Sequence, residues 1–499
     1  MTSAIVYWLT RINHWKVFVP SSVVSGSATA TATASATSTA DDTIVMSPVR
    51  RNVAMIAVLL SMLMTNIDTS IVNVALPQLA HDLAVTPADA VWVATAFLLA
   101  VSCSIPAMTG LADQIGRKRM FLVGTPVFTL ASLACALSPT FGALVAARVA
   151  QGVAASMLFA VAIPIYRRIF PPERLGFVLG MNAMVVALGI CAGPTLGGLI
   201  LAHLDWPWLF LINIPIGAVA TVLGVVFLPY RRPARGDYDL LGALTAGAAI
   251  ACFLVGIHQL ADLSTVWVAA VLLIGCAILA SLFLMVERRA TRPVLPLSLF
   301  NGKVTLAVLT AFWSFFGQGA AFVALPFLFQ SAYHASPLQS ALLFTPWPLI
   351  IIVTSPISGR LADRYPSGKL AVIGLTIFTV GLLSLSLLGG QPPVWLVLAS
   401  TGLTGLGFAI FQPPNNRDMM AATHIRHASA MAGVMNVNRT LAQSTGAGAV
   451  SMALVLVGAS SASPALEAQG ANNALFVAVV GATAAVIVSV VKMRHLKTH

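Results

Sequence analysis

Thr109-Gly-Leu-Ala-Asp-Gln-Ile-Gly-Arg-Lys-Arg119 separates two long apolar runs, and a shortened version, Gly359-Arg-Leu-Ala-Asp-Arg364, separates two more. What surrounds them is almost entirely apolar: 58% of the 499 residues are hydrophobic and 8% are charged. A soluble domain carries about 25% charged residues, so this chain has too little polar surface to meet water on every side. About 20 apolar residues at 1.5 Å each cross the ~30 Å hydrocarbon core of a bilayer. That ruler predicts fourteen spans, near 52–76, 88–108, 120–138, 141–165, 176–202, 207–229, 239–260, 265–286, 304–330, 338–358, 370–389, 394–414, 430–457 and 472–491. Short alternating segments of the kind that build a membrane barrel are not visible. The two related loops then follow the second span of two six-span sets. The predicted fold is an all-α integral membrane protein: two pseudo-symmetric six-helix bundles with two further helices inserted between them.

The basic residues test the count. Arg117, Lys118 and Arg119, then Arg167, Arg168 and Arg174, then Arg231, Arg232 and Arg235 all fall in even-to-odd connections. So do Arg288, Arg289, Arg292 and Lys303, then Arg360, Arg364 and Lys369, then Arg417 and Arg426, while Lys492, Arg494 and Lys497 follow the last span. The odd-to-even connections hold Asp82, Asp89, Asp205, Asp262 and Glu467 and no lysine or arginine. Since cytoplasmic loops carry the Lys/Arg excess, both termini are expected on the cytoplasmic side of the cytoplasmic membrane. The excess of 27 basic over 15 acidic residues is thereby topological, and no nucleic-acid partner is implied.

The expected division is a leader (1–45), an N-terminal bundle (46–232), a two-helix insert with its linker (233–303) and a C-terminal bundle (304–499). Residues 27–40 of the leader are low-complexity, and Met46 stands directly before the first basic-apolar boundary, which suggests translation from Met46. Cys103, Cys135, Cys191, Cys252 and Cys276 are widely spaced in apolar runs, which fits packing rather than a disulfide or zinc site.

Ionisable residues within spans are few: Asp68, Arg148 and Arg439. Such charges cost at least ~2.5–3.5 kcal/mol on insertion scales and are functional candidates for that reason. Counting residues from the span ends puts Asp68 roughly 12 Å and Arg148 roughly 10 Å below the same boundary. A proton carrier is one reading of Asp68; a static Asp68–Arg148 pair is the other. Gln151 and Gly152 share a helix face with Arg148, a stripe expected to face a cavity. Arg439 shares a face with Gln443 and has no evident acidic partner; contacts to backbone carbonyls or snorkelling toward the cytoplasm would account for it. Gly189, Gly193 and Gly197 recur every four residues beside Pro194 and Gly198, a spacing that lets helix backbones approach closely. Phe312, Trp313, Phe316, Gln330, Trp347, Gln412 and Asn415 are the candidate cavity or substrate residues, a loose aromatic set suited to amphipathic, often cationic, compounds.

Five stretches together resemble the major facilitator superfamily and its fourteen-helix drug:proton antiporter subgroup. They are Ile67-Asp-Thr-Ser-Ile-Val-Asn-Val-Ala-Leu-Pro77, the Thr109–Arg119 loop, Arg148-Val-Ala-Gln-Gly152, Gly189-Ile-Cys-Ala-Gly-Pro-Thr-Leu-Gly-Gly198 and Phe411-Gln-Pro-Pro-Asn-Asn416. Ser70 stands where the subgroup usually has threonine, Thr109 where the loop has its first glycine, and Gln114 where it has a basic residue. The resemblance implies a secondary transporter, not an enzyme, exporting small molecules in exchange for protons without a cofactor. Asp68 and Arg148 would carry proton coupling, and the glycines around Pro194 the switching. Asp113 with Arg117, and Asp363 with Arg364, would form cytoplasmic latches. A periplasmic adaptor is implied by analogy alone. A dedicated metabolite in place of drugs fits the same residues. An ATP-driven pump would need a GxxxxGK[ST] loop, which the chain lacks.

Overall fold

A computed structural model describes residues 46–230, 239–260, 266–289, 300–389, 392–421, 428–457 and 464–495. The leader, Arg231, Arg232, Arg235, Asp262, Arg292, Arg426 and Lys497 lie outside the described residues, as do the side chains of Cys191, Asp363 and Glu467.

Fourteen long helices carry the described chain: α1 (Pro48–Asp82), α2 (Trp92–Ile115), α3 (Arg117–Ala136), α4 (Phe141–Ile169), α5 (Pro172–Leu201), α6 (Asn213–Phe227), α7 (Leu240–Gln259), α8 (Val266–Arg289), α9 (Gly302–Phe327), α10 (Pro346–Arg364), α11 (Ser367–Leu387), α12 (Val394–Ala421), α13 (Ala428–Leu456) and α14 (Pro464–His495). Short helical turns lead into α2, α6 and α10, and a π-turn, Leu328–Ala332, closes α9. Thirteen of these segments are long and apolar enough to cross a membrane. The exception is α13, whose Asn436, Asn438, Arg439 and Gln443 dilute its apolar character. It keeps its place by packing against α2, α9 and α14 rather than by facing lipid.

The helix pairs repeat. In the first half α1 packs on α5 and α6, α4 on α2 and α3, and α3 on α6; in the second half α9 packs on α13 and α14, α12 on α10 and α11, and α11 on α14. The two related sequence loops therefore occupy equivalent corners of equivalent bundles. Helices α7 and α8 pack on each other, and α7 docks on both α2 and α13, so the insert straddles the bundle boundary. Of the α8 side chains only Ala269 and Glu287 are buried. An apolar helix so exposed belongs in lipid, the one solvent that accepts it.

The loop reading of Thr109–Arg119 needs one correction. Thr109–Ile115 is the final stretch of α2, and the chain turns only at Gly116, whose φ of 95° favours glycine. In the same way Gly359–Arg364 completes α10. A helix that continues beyond the bilayer satisfies its own backbone, so a polar sequence does not end it; a residue able to adopt the left-handed region does.

Helix spacing within the first bundle follows from glycine. A Cβ on Gly189 would stand 2.8 Å from Asn66 Cβ, one on Gly193 1.8 Å from Ser70 Oγ, and one on Gly197 3.0 Å from the Ile71 carbonyl oxygen. The stripe thus seats α5 on α1, where Ser70 also donates to the Gly189 carbonyl at 3.2 Å. Gly198 points elsewhere: its Cβ would stand 2.5 Å from Ala341 Cβ, across the boundary between bundles.

Candidate functional site

Asp68 lies midway along α1, and the close α1–α5 packing turns it into the bundle interior, where it is wholly buried. Three side chains from two helices reach it. Arg148 of α4 donates from Nη1 to Asp68 Oδ2 at 2.5 Å; Gln151, one helical turn on, donates to Oδ1 at 2.8 Å; and Asn213, at the start of α6, donates to Oδ1 at 2.8 Å. Ser132 of α3 accepts from Gln151 at 2.7 Å and from Asn213 at 3.2 Å. Arg148 also donates from Nε to the Val93 carbonyl at 2.8 Å and from Nη1 to Gln151 Oε1 at 2.6 Å. Its guanidinium lies 4.4 Å from the Phe97 ring centroid and 5.8 Å from that of Phe210. Each carboxylate oxygen thus accepts from at least one of these donors. Arg148 Nη2 and Asn213 Oδ1 are buried without partners.

A small central cavity lies between the bundles. Asn66 and Asn73 of α1, Phe97 of α2, Phe159 of α4, Phe322 of α9 and Arg439 and Gln443 of α13 are among its walls. Asp68, Arg148 and Gln151 are not. The expectation of a cavity-facing Arg148–Gln151 stripe is therefore corrected: both side chains point into the bundle, because pairing with Asp68 satisfies charges that would otherwise stand bare. Phe97 is the partition, touching the cavity with one side and Arg148 with the other.

The candidate substrate residues also lie elsewhere. Trp347 is fully buried among Phe322, Phe344 and Phe378. Gln330 donates to the Val74 carbonyl at 3.0 Å. Asn415 donates to the Ala307 carbonyl at 3.1 Å and accepts from Lys492 at 2.9 Å. Phe312, Trp313 and Phe316 stack edge-on along α9, and a Cβ on Gly446 or Gly481 would press on Phe316, which fills an α9–α13–α14 junction. Gln412 is half-buried in α12 and does not line this cavity. Packing claimed these side chains because aromatic and amide groups serve helix contacts as readily as ligands.

Sequence reasoning missed Asn213, Ser132, Phe97, Asn66 and Asn73. An asparagine within the apolar run Leu211–Ile216 was the one available signal. Arg439 takes neither of its expected roles: it lines the cavity with its Nε buried and unpartnered, 5.9 Å from the Phe159 ring centroid.

At the face carrying the basic loops, Arg117 pairs with Asp113 at 3.1 Å and donates to the Pro164 carbonyl at 3.2 Å, both within the first bundle. Lys118 caps the end of α6 through the Val225 and Leu228 carbonyls at 2.8 and 2.7 Å. In the second bundle Arg364 is exposed, and the corresponding contacts are made by Arg417, which donates to the Ala362 carbonyl, and by Lys492, buried and 3.0 Å from Asp418. At the opposite face the bundles are joined by Thr195–Thr345 at 3.0 Å, Gln330 to Val74 at 3.0 Å and Ser451 to the Ala88 carbonyl at 3.0 Å.

Breaking the buried pair from one side is expected to be costly. Arg148→Gln would leave Asp68 charged and uncompensated, a loss of about 3–5 kcal/mol. The variant should therefore melt well below wild type in detergent, and Asp68→Asn in the same chain should recover most of the loss.

Two repeated bundles around a central cavity, with a closed carboxylate network one ring away, define a secondary transporter. Residues 58–447 match the Major Facilitator Superfamily, and the chain belongs to that family. It is 34% identical over 404 residues to "Uncharacterized transporter YebQ" of Escherichia coli, covering 80% of this chain and 88% of that one. "Riboflavin transporter RibZ" of Clostridioides difficile is 29% identical over 74% of this chain and 80% of its own length. "Methylenomycin A resistance protein" of Streptomyces coelicolor is 30% identical over 78% of this chain and 83% of its own.

Proposed function

We propose that this transporter exports small amphipathic molecules across the cytoplasmic membrane in exchange for protons, with both termini in the cytoplasm. The observation that carries the reading is the Asp68 network: one buried carboxylate held by Arg148, Gln151 and Asn213, with Phe97 between Arg148 and the cavity. A group whose charge depends on its partners changes proton affinity when they move. Rocking of the bundles about the cavity opens the cavity face of Phe97, and the network behind it, to water. Asp68 then meets water and takes a proton; reclosure expels it. Resistance relatives support export of toxic compounds; the riboflavin relative supports a second reading, one dedicated metabolite on the same machinery.

The test uses the purified full chain in vesicles loaded with a pH-sensitive dye, under an imposed inside-acid gradient. Added amphipathic compounds should trigger proton efflux from the lumen above that of protein-free vesicles. No compound-dependent proton movement would overturn proton antiport and leave an uncoupled facilitator.

A further inference from the structure

Arg439 stands on the cavity wall of α13, far along the helix from the basic loops that account for most other cations in the chain. No Asp or Glu is among the cavity-lining residues, and among the described residues no carboxylate pairs with Arg439. Asp68, the nearest acid by place in the fold, lies behind Phe97 and is committed to Arg148. The Arg439 Nε is buried without an acceptor, although amide groups of Asn66, Asn73 and Gln443 share the cavity. Gln443 is turned away from it, donating to Gln318 at 3.2 Å. The cavity thus carries one uncompensated positive charge, a planar fork of donors, and phenyl rings of Phe97, Phe159 and Phe322.

We propose that Arg439 is a specificity-determining residue that receives the anionic group of the substrate, a carboxylate on an aromatic amphiphile. The assignment rests on the export reading above and narrows it. An unpaired guanidinium held in a cavity is a cost to the free protein that an anionic ligand removes on binding. The same charge repels a cation and gives the carbonyl oxygen of a neutral amide only a weaker hydrogen bond than it gives a carboxylate. Arginine suits the role better than lysine, since its fork meets both oxygens of a carboxylate. The amphipathic substrates of this protein are accordingly anions, not the cations that the aromatic sequence pattern suggests.

Equilibrium dialysis of the purified full chain tests this with matched probes: naphthylacetate, naphthylacetamide and naphthylethylammonium, and the corresponding biphenyl series. Wild type is expected to bind the carboxylates about 10- to 100-fold more tightly than the amides, the range of one charge-assisted contact. Arg439→Gln should erase that preference while melting no lower than wild type, because it removes an unpaired buried charge. Arg439→Lys should keep part of the preference. A preserved preference in Arg439→Gln, or wild type binding the ammonium probes best or no carboxylate at all, would overturn the assignment. The dye-loaded vesicles separate the two readings. Proton efflux triggered only by ammonium probes leaves antiport standing and removes the anion assignment; no efflux with any probe, beside a carboxylate preference in dialysis, removes antiport and keeps the anion assignment.

Discussion

Asp68→Asn is expected to reach the membrane, bind substrate and move no protons. The cavity walls do not include Asp68, so ligand affinity should change little. The replacement leaves Arg148 uncompensated and should lower the melting temperature, but it keeps the side chain's size, and Arg148 retains the Val93 carbonyl, Gln151 and the Phe97 ring, so folded protein should remain to be assayed. What disappears is the titratable group. Uphill export driven by a proton gradient should fall to the level of protein-free vesicles, while downhill exchange of substrate continues. That split distinguishes a proton carrier from a structural pair, whose loss would lower folded protein and every transport mode together. The measurement is substrate flux with and without a pH gradient, normalised to monodisperse protein in the membrane. Proton-driven export at the wild-type rate would remove Asp68 from the mechanism.

Gly198→Val is expected to drive apart the ends of the bundles opposite the basic loops. Even a Cβ at this position stands 2.5 Å from Ala341 Cβ and 2.9 Å from the Pro337 carbonyl oxygen, on the facing bundle. Overpacking of a closed interface costs about 1–3 kcal/mol. Because the contact spans the bundles, the cost falls on the arrangement that brings these ends together, moving the balance between arrangements by roughly 5- to 150-fold. Spin labels at Leu204 and Ser336, both exposed near the affected ends, should report a longer distance than in wild type, measured in a cysteine-free background. Gly193→Val is the control: its clash is with Ser70 inside one bundle, and it should lower the yield of folded protein without shifting that distance. An unchanged Leu204–Ser336 distance in Gly198→Val would show that these ends do not separate in the transport cycle.

Composition, span length and charge alternation were enough to establish a membrane protein of fourteen helices in two related halves. Each is a one-dimensional property: hydrocarbon thickness sets how many apolar residues a span needs, and the related loops mark where the second half begins. Even the polar helix α13 was found, because its ends are fixed by the neighbouring connections. The Asp68–Arg148 pair was legible too, since two rare charges at one depth on neighbouring helices have strong cause to meet. Direction was not legible. A helical period says which residues share a face but not which neighbour that face meets, so Gly198 could not be told from Gly193, nor an interior Gln151 from a cavity-lining one. The aromatic residues of α9 and α10 misled for the same reason. Only the packing of the bundles decided that Phe97 stands between Arg148 and the cavity and that Arg439 faces that cavity with no carboxylate beside it. Both follow from contacts between helices far apart in sequence, a property of shape that no single helix carries.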